Sequence, residues 1–203
     1  MFAALQAPAL LSLRVRPMET AIRPLAIELC FDPESDQRLR RVWSRLSAFY
    51  GGPQDSELGV RPHITLALFR NKEPEGIPDL AMFLASRLEP FGLRLATVEQ
   101  FSTTEGVVYL RPEPSAELAR AHDLLQELLG QQRDLVHTYY RPGAWHPHCT
   151  VAINVPASFL DLVISECRSP QVLGDVQVVR LQVVRYRPAT EIVGALLGQH
   201  ATV

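Results

Sequence analysis

The chain has a single lysine, Lys72, only three cysteines, Cys30, Cys149 and Cys167, and no apolar run approaching the length of a membrane span. Each scarcity excludes something. Three cysteines without C-x-x-C spacing supply neither a disulfide framework nor a zinc ribbon and point to a reducing compartment, expected to be the cytoplasm. A bilayer span takes about 20 consecutive apolar residues, so no membrane attachment is expected. Charge of one sign is not in excess either. The net charge is -2 and the isoelectric point about 6.3, which argues against a protein that coats double-stranded DNA through counterion release. A small phosphate ligand or an RNA end needs only local charge and stays open. All basic residues other than Lys72 are arginine; guanidinium is the better bidentate phosphate partner, but the same skew follows from base composition. Within residues 1–20, Arg14 and Arg16 follow the apolar run instead of preceding it, the wrong order for a secretory signal. Residues 1–20 are expected to be an N-terminal extension, either a disordered leader or sequence ahead of a natural start at Met18. Residues 21–199 are expected to form a single bilobal domain.

What is present is a repeated hexapeptide. Pro62-His63-Ile64-Thr65-Leu66-Ala67 returns as Pro147-His148-Cys149-Thr150-Val151-Ala152. Alternate residues of a strand face opposite sides. His63, Thr65 and Ala67 are therefore expected on one face with Ile64, Leu66 and Leu68 behind, and His148, Thr150 and Ala152 in front of Cys149, Val151 and Ile153. Six histidines and nine threonines in 203 residues yield about 0.3 His-x-Thr triplets by chance. There are three, but His200-Ala201-Thr202 lacks the proline, the apolar alternation and the alanine of the other two.

The surroundings repeat as well. Asp32-Pro33 reads as a helix cap and first helical residue, Leu39, Val42, Trp43, Leu46 and Phe49 make one apolar face, and Gly51-Gly52-Pro53 stops it. Further helices are expected over 78–88, from the cap Ser115 to Gly130, and over 156–167. Strands are expected over 21–31, 91–101, 107–110, 172–186 and 190–197. A shift of 85 residues, the separation of His63 and His148, also brings Val98 onto Val183, Phe101 onto Tyr186 and Val108 onto Val193. This reads as a duplicated α+β unit: two lobes, a pseudo-two-fold axis, and a central cleft where the motif strands face each other.

Two imidazoles opposed across a cleft can move two protons in one in-line displacement, since histidine titrates near neutrality. At a phosphodiester, one takes a proton from the attacking water or hydroxyl and the other supplies one to the leaving oxygen. The threonine hydroxyls hold the non-bridging oxygens. No carboxylate cluster adjoins either motif, so neither a metal nor another cofactor is expected.

The paired Pro-His-x-Thr motif, with helix and hairpin between its copies, resembles the 2H phosphoesterase superfamily, which includes bacterial 2′-5′ RNA ligase-like proteins and RNA 2′,3′-cyclic phosphodiesterases. The resemblance implies a bilobal α+β fold with two antiparallel sheets and a metal-independent enzyme that hydrolyses a 2′,3′-cyclic phosphate or a 2′-5′ linkage. It gives His63, Thr65, His148 and Thr150 the catalytic and phosphate-binding roles. His148 would activate water and His63 protonate the departing 2′ oxygen, the roles exchanging in the ligating direction.

Arg61 beside the first motif and Tyr140, Arg141 and Trp145 before the second are candidate substrate-binding residues, through base stacking and phosphate pairing. Arg70 and Lys72 share that neighbourhood. Phe101 and Tyr186 read as core residues and His122 as a surface or boundary residue. The expected partner is an RNA end or a small nucleotide, and the chain is expected to be monomeric. Two other function classes fit the same residues: a nucleotide or RNA-end binding module with little turnover, and a metal-dependent hydrolase using His137, His146 and His148.

Overall fold

The computed structural model describes residues 23–51, 60–102 and 104–199; the expected extension over 1–20, Gly52, Pro53 and the triplet at 200–202 lie outside them. Strand β1 (Leu25–Phe31) is buried at every position and leads into helix α1 (Pro33–Tyr50). The Asp32 carboxylate accepts from the N–H groups of Glu34 and Ser35 at 3.0 and 3.1 Å. Pro33 sits in the first turn, where its missing N–H leaves nothing unpaired. Leu39, Val42, Trp43 and Leu46 form the buried stripe, and Gly51 ends the helix at φ 69°, a left-handed conformation least costly for glycine. Phe49, expected on that stripe, is 43% exposed and meets the ring of Phe159 instead.

Helices α2 (Ile77–Arg87), α3 (Ala116–Leu129) and α4 (Leu160–Cys167) follow, with Ser115 Oγ capping α3 by accepting from the Leu118 N–H. A single 3-10 turn, Ala157–Phe159, precedes α4 where a continuous helix was expected. The remaining strands are β2 (His63–Phe69), β3 (Phe91–Gln100), β4 (Val108–Pro112), β5 (Cys149–Ala152), β6 (Gly174–Arg185) and β7 (Thr190–Leu196). All pair antiparallel, in the order β2-β1-β6-β3-β4-β5 with β7 also on β6. The two expected sheets are thus wings of one hydrogen-bonded sheet. At 12 residues, β6 is long enough to pair with β1 along one edge and with β3 and β7 in succession along the other.

The pairing of the two halves corresponds. In the β3–β6 ladder Phe91 opposes Val178, Leu93 opposes Val176, and Gly92 opposes Gln177, its own counterpart 85 residues on. Strand β1 pairs with β2 as β4 pairs with β5, and each motif strand carries the same irregularity. Glu28 and Ile27 oppose Thr65 and Ala67, leaving Leu66 as an extra residue; Tyr109 and Val108 oppose Thr150 and Ala152, leaving Val151. A one-residue bulge reverses which side chains face which way beyond it.

The helices cross between halves, α1 packing on β1 and β5, and α3 on α2 and β2. The two ends of the strand order, β2 and β5, also touch each other, so the sheet curls until its edges meet. Edge strands carry carbonyls that need donors. Here helix and loop groups supply donors. Trp145 Nε1 donates to the Thr65 carbonyl and Trp43 Nε1 to the Thr150 carbonyl, both at 3.0 Å. The His137 N–H donates to the Leu68 carbonyl at 2.7 Å and the Tyr50 hydroxyl to that of Ile153 at 2.9 Å. Apolar residues from both halves fill one continuous core.

Candidate active site

At the seam between β2 and β5 lies a cleft of about 760 Å³ whose walls include His63, Thr65, His148 and Thr150. The bulges decide what else faces it. Simple alternation places Ala67 and Ala152 beside the motif side chains, but both are fully buried, and Leu68 and Ile153 line the cleft in their place. Cys149 is buried, as expected of a side chain behind the motif.

Both imidazoles are held alike. Nδ1 of His63 lies 2.7 Å from the Arg61 carbonyl and Nδ1 of His148 lies 2.7 Å from the His146 carbonyl. A carbonyl can only accept, so Nδ1 carries the hydrogen in each ring and Nε2 is left for chemistry.

Behind the rings the two halves differ. Thr65 pairs across the ladder with Glu28, whereas Thr150 pairs with Tyr109. Glu28 is completely buried, accepting from Gln182 Nε2 at 2.8 Å and from the Tyr186 hydroxyl at 2.5 Å. His63 Nε2 lies 3.5 Å from Glu28 Oε1 and 3.4 Å from the Tyr186 oxygen. A protonated His63 therefore faces a carboxylate shielded from water. His148 instead meets Phe101 and Tyr109 edge-on, at centroid distances of 5.0 and 5.3 Å. Burial, with the nearby charges of His63 and His146, pulls its pKa down to about 4, so it is neutral at pH 7. Burial and the hydrogen bond to Glu99 push the Tyr109 phenol up to about 12, keeping it uncharged beside that ring.

Of the four expected substrate-binding residues, only Tyr140 lines the cleft. The other three are engaged elsewhere. The Arg61 guanidinium is 3.6 Å from Glu191. Arg141 donates to the carbonyls of Val136 and Asp134 at 2.8 and 2.7 Å, pinning its own loop. Trp145 stacks on His122 at 4.0 Å while its indole holds β2. His122, expected near the surface, is buried beneath that indole, and Tyr186, expected in the core, lines the cleft. Sequence reasoning passed over Glu28, Asn154 and Arg187. Glu28 left a signal, as the one charged residue in the strand Leu25–Phe31.

Among the described residues, no three His, Cys, Asp or Glu side chains cluster in a way that could hold a metal ion. His146 Nε2 turns to the Tyr109 hydroxyl at 3.1 Å, and His137 packs against Tyr139 and Tyr140, so the alternative set with His148 is not assembled.

The family model of the 2′-5′ RNA ligase superfamily matches residues 31–190. The chain belongs to this superfamily. Membership makes it a 2H phosphoesterase-type protein, and solved structures share the fold. TT0787 of Thermus thermophilus is 23% identical with a TM-score of 0.58, the match covering 87% of this chain and 99% of that one. E. coli LigT complexed with 3′-AMP is 20% identical with a TM-score of 0.55 over the same shares. The NADP+ complex of LigT gives 19% and 0.53, again over 87% and 99%. No match is found among curated protein sequences. Among the described residues, no helix is long and apolar enough to cross a membrane.

Proposed function

We propose that this chain is a phosphodiesterase that opens 2′,3′-cyclic phosphates, on RNA ends or small nucleotides, by metal-independent two-histidine catalysis. The observation that carries the reading is the unequal housing of two equally oriented imidazoles. His148, neutral in its aromatic surround, offers Nε2 as the base. His63, beside the buried Glu28, supplies the acid. As water attacks phosphorus, its proton passes to His148 Nε2 and the bond from phosphorus to a ribose oxygen breaks. The His63 Nε2 proton goes to that departing oxygen. Thr65 and Thr150 donate to the non-bridging oxygens, where negative charge gathers. Exchange with solvent returns both rings to their starting forms. A 2′-5′ linkage suits the same groups, and ligation is the reverse course with the two roles exchanged. That E. coli LigT, of the same fold, is seen complexed with 3′-AMP supports a nucleotide as the ligand class.

The test is hydrolysis of a short RNA ending in a 2′,3′-cyclic phosphate, in excess EDTA. Turnover to a phosphate monoester is expected, and a 3′-phosphate product means that the 2′ oxygen departs. Activity lost in EDTA and restored by a divalent ion would overturn the metal-free mechanism. Nucleotide binding without turnover of cyclic or 2′-5′ substrates would leave a binding module.

A further inference from the structure

The chain as a whole is slightly acidic, yet not one Asp or Glu among the described residues lines the cleft, whereas two arginines, Arg70 and Arg187, do. Neither guanidinium has a hydrogen-bond or ion-pair partner among the described residues. Their neighbours on the same elements are matched: Arg185 holds Glu73 through two bonds of 2.7 and 2.9 Å, and Arg61 and Arg180 both meet Glu191. Two unmatched guanidiniums facing one cavity repel each other, an arrangement that an anion between them relieves.

The backbone places both at one end of the cleft. Leu25 pairs with Phe69 on one side and with Arg185 on the other. Arg70 follows Phe69 directly and Arg187 follows two residues after Arg185, so the two leave neighbouring strands on either flank of the start of β1. Strands two apart in a sheet are about 10 Å from each other, a gap that two arginine side chains can bridge around one phosphate. The bulge at Leu66 is what turns Arg70 inward, since unbroken alternation from His63 would aim it at the opposite face. Arg187 stands next to Tyr186, whose hydroxyl reaches His63, and its backbone lies at φ 67°, uncommon for a side chain-bearing residue.

We propose that Arg70 and Arg187 form a second anion site, separate from the groups that hold the reacting phosphate, so that the substrate carries a further phosphate on the same molecule. This rests on the phosphodiesterase reading and narrows it to nucleotides with a phosphate on the 5′ oxygen. Two sources share that chemistry: the internucleotide phosphate of an RNA end, and the terminal phosphate of a small nucleotide.

Three probes separate them: a nucleoside 2′,3′-cyclic phosphate, the same molecule bearing a 5′-phosphate, and a dinucleotide ending in a cyclic phosphate. The full chain is expected to favour one or both of the longer probes about tenfold or more in kcat/KM. In the Arg70→Ala/Arg187→Ala double variant that ratio falls towards one. Both side chains are exposed, so the variant is expected to fold. Preference for the dinucleotide alone identifies an RNA end; preference for the 5′-phosphorylated nucleotide identifies a small nucleotide. A ratio near one in the unaltered chain, or one that survives the double substitution, overturns the proposal. Calorimetric binding of a nucleoside 3′,5′-bisphosphate against a 3′-monophosphate gives a readout independent of turnover. If neither the cyclic probes nor a 2′-5′ linked dinucleotide is hydrolysed but the bisphosphate binds about tenfold tighter and loses that margin in the variant, the phosphodiesterase reading fails and the anion site stands.

Discussion

Trp145 donates its indole N–H to the main-chain carbonyl of Thr65, 80 residues away in sequence, at 3.0 Å. Trp43 does the same for Thr150 from the other half. Each motif strand is thus held at its outer edge by a tryptophan from the opposite half of the chain. Removing one donor leaves a part-buried carbonyl without that partner, which costs about 1 kcal/mol. Trp145→Phe and Trp43→Phe should each lower the urea midpoint accordingly while the far-ultraviolet circular dichroism persists. Unchanged midpoints would show that the indoles do not hold the seam.

The acid and base roles predict losses that separate chemistry from folding. His63→Ala and His148→Ala should each reduce single-turnover cleavage of a cyclic phosphate by on the order of 10² to 10⁴. Thr65→Ala and Thr150→Ala should cost less, since each removes one donor to a charge that other groups share. Full activity in either histidine variant would sink the mechanism. Loss of fold in both would mark the residues as structural.

His148 also makes a stability prediction. Its pKa falls from an ordinary 6.5 to about 4 in the folded chain, so below pH 6.5 the unfolded state takes up a proton that the folded state refuses. Stability from this group is complete above pH 6.5 and declines as pH drops, by about 3 kcal/mol at pH 4. Unfolding midpoints at pH 7 and pH 4.5 should therefore differ less for His148→Ala than for the unaltered chain. The acidic limb of kcat/KM should lie nearer pH 4 than 6.5. Equal acid-side losses in both proteins would contradict the assignment.

In the proposed mechanism Glu28 acts through His63, whose Nε2 lies 3.5 Å from its Oε1, and not on the substrate. Glu28→Gln keeps the shape and an acceptor for Tyr186 but deletes the charge beneath the ring. The expected result is a lower kcat with KM little changed. An unchanged kcat would mean that the carboxylate only supports packing.

Much of the frame was legible in the residues because local chemistry determines it. Asp32-Pro33 and Gly51 bound α1, Ser115 and Gly130 bound α3, and the doubled Pro-His-x-Thr located both motif strands. What sequence reasoning missed depends on partners far along the chain. An extra residue at Leu66 or Val151 exists only relative to the strand opposite, so alternation chose Ala67 and Ala152 over Leu68 and Ile153. Arg61, Arg141 and Trp145 have the right chemistry for a ligand, but Glu191, two loop carbonyls and the edge of β2 reach them first. Tyr186 reads as apolar ballast until β6 lays it against Glu28.

The self-matching pair Gly92 and Gln177 marks a frame that looks nearly the same after half a rotation. A diester lying across such a frame has two equivalent ways to lie, with its ends exchanged. Glu28 and Tyr109, which occupy corresponding places behind the motif threonines, remove that degeneracy. For the nucleotide substrate proposed above, the direction in which it lies in the cleft would thus be set by what stands behind the paired motifs, and not by the motifs themselves.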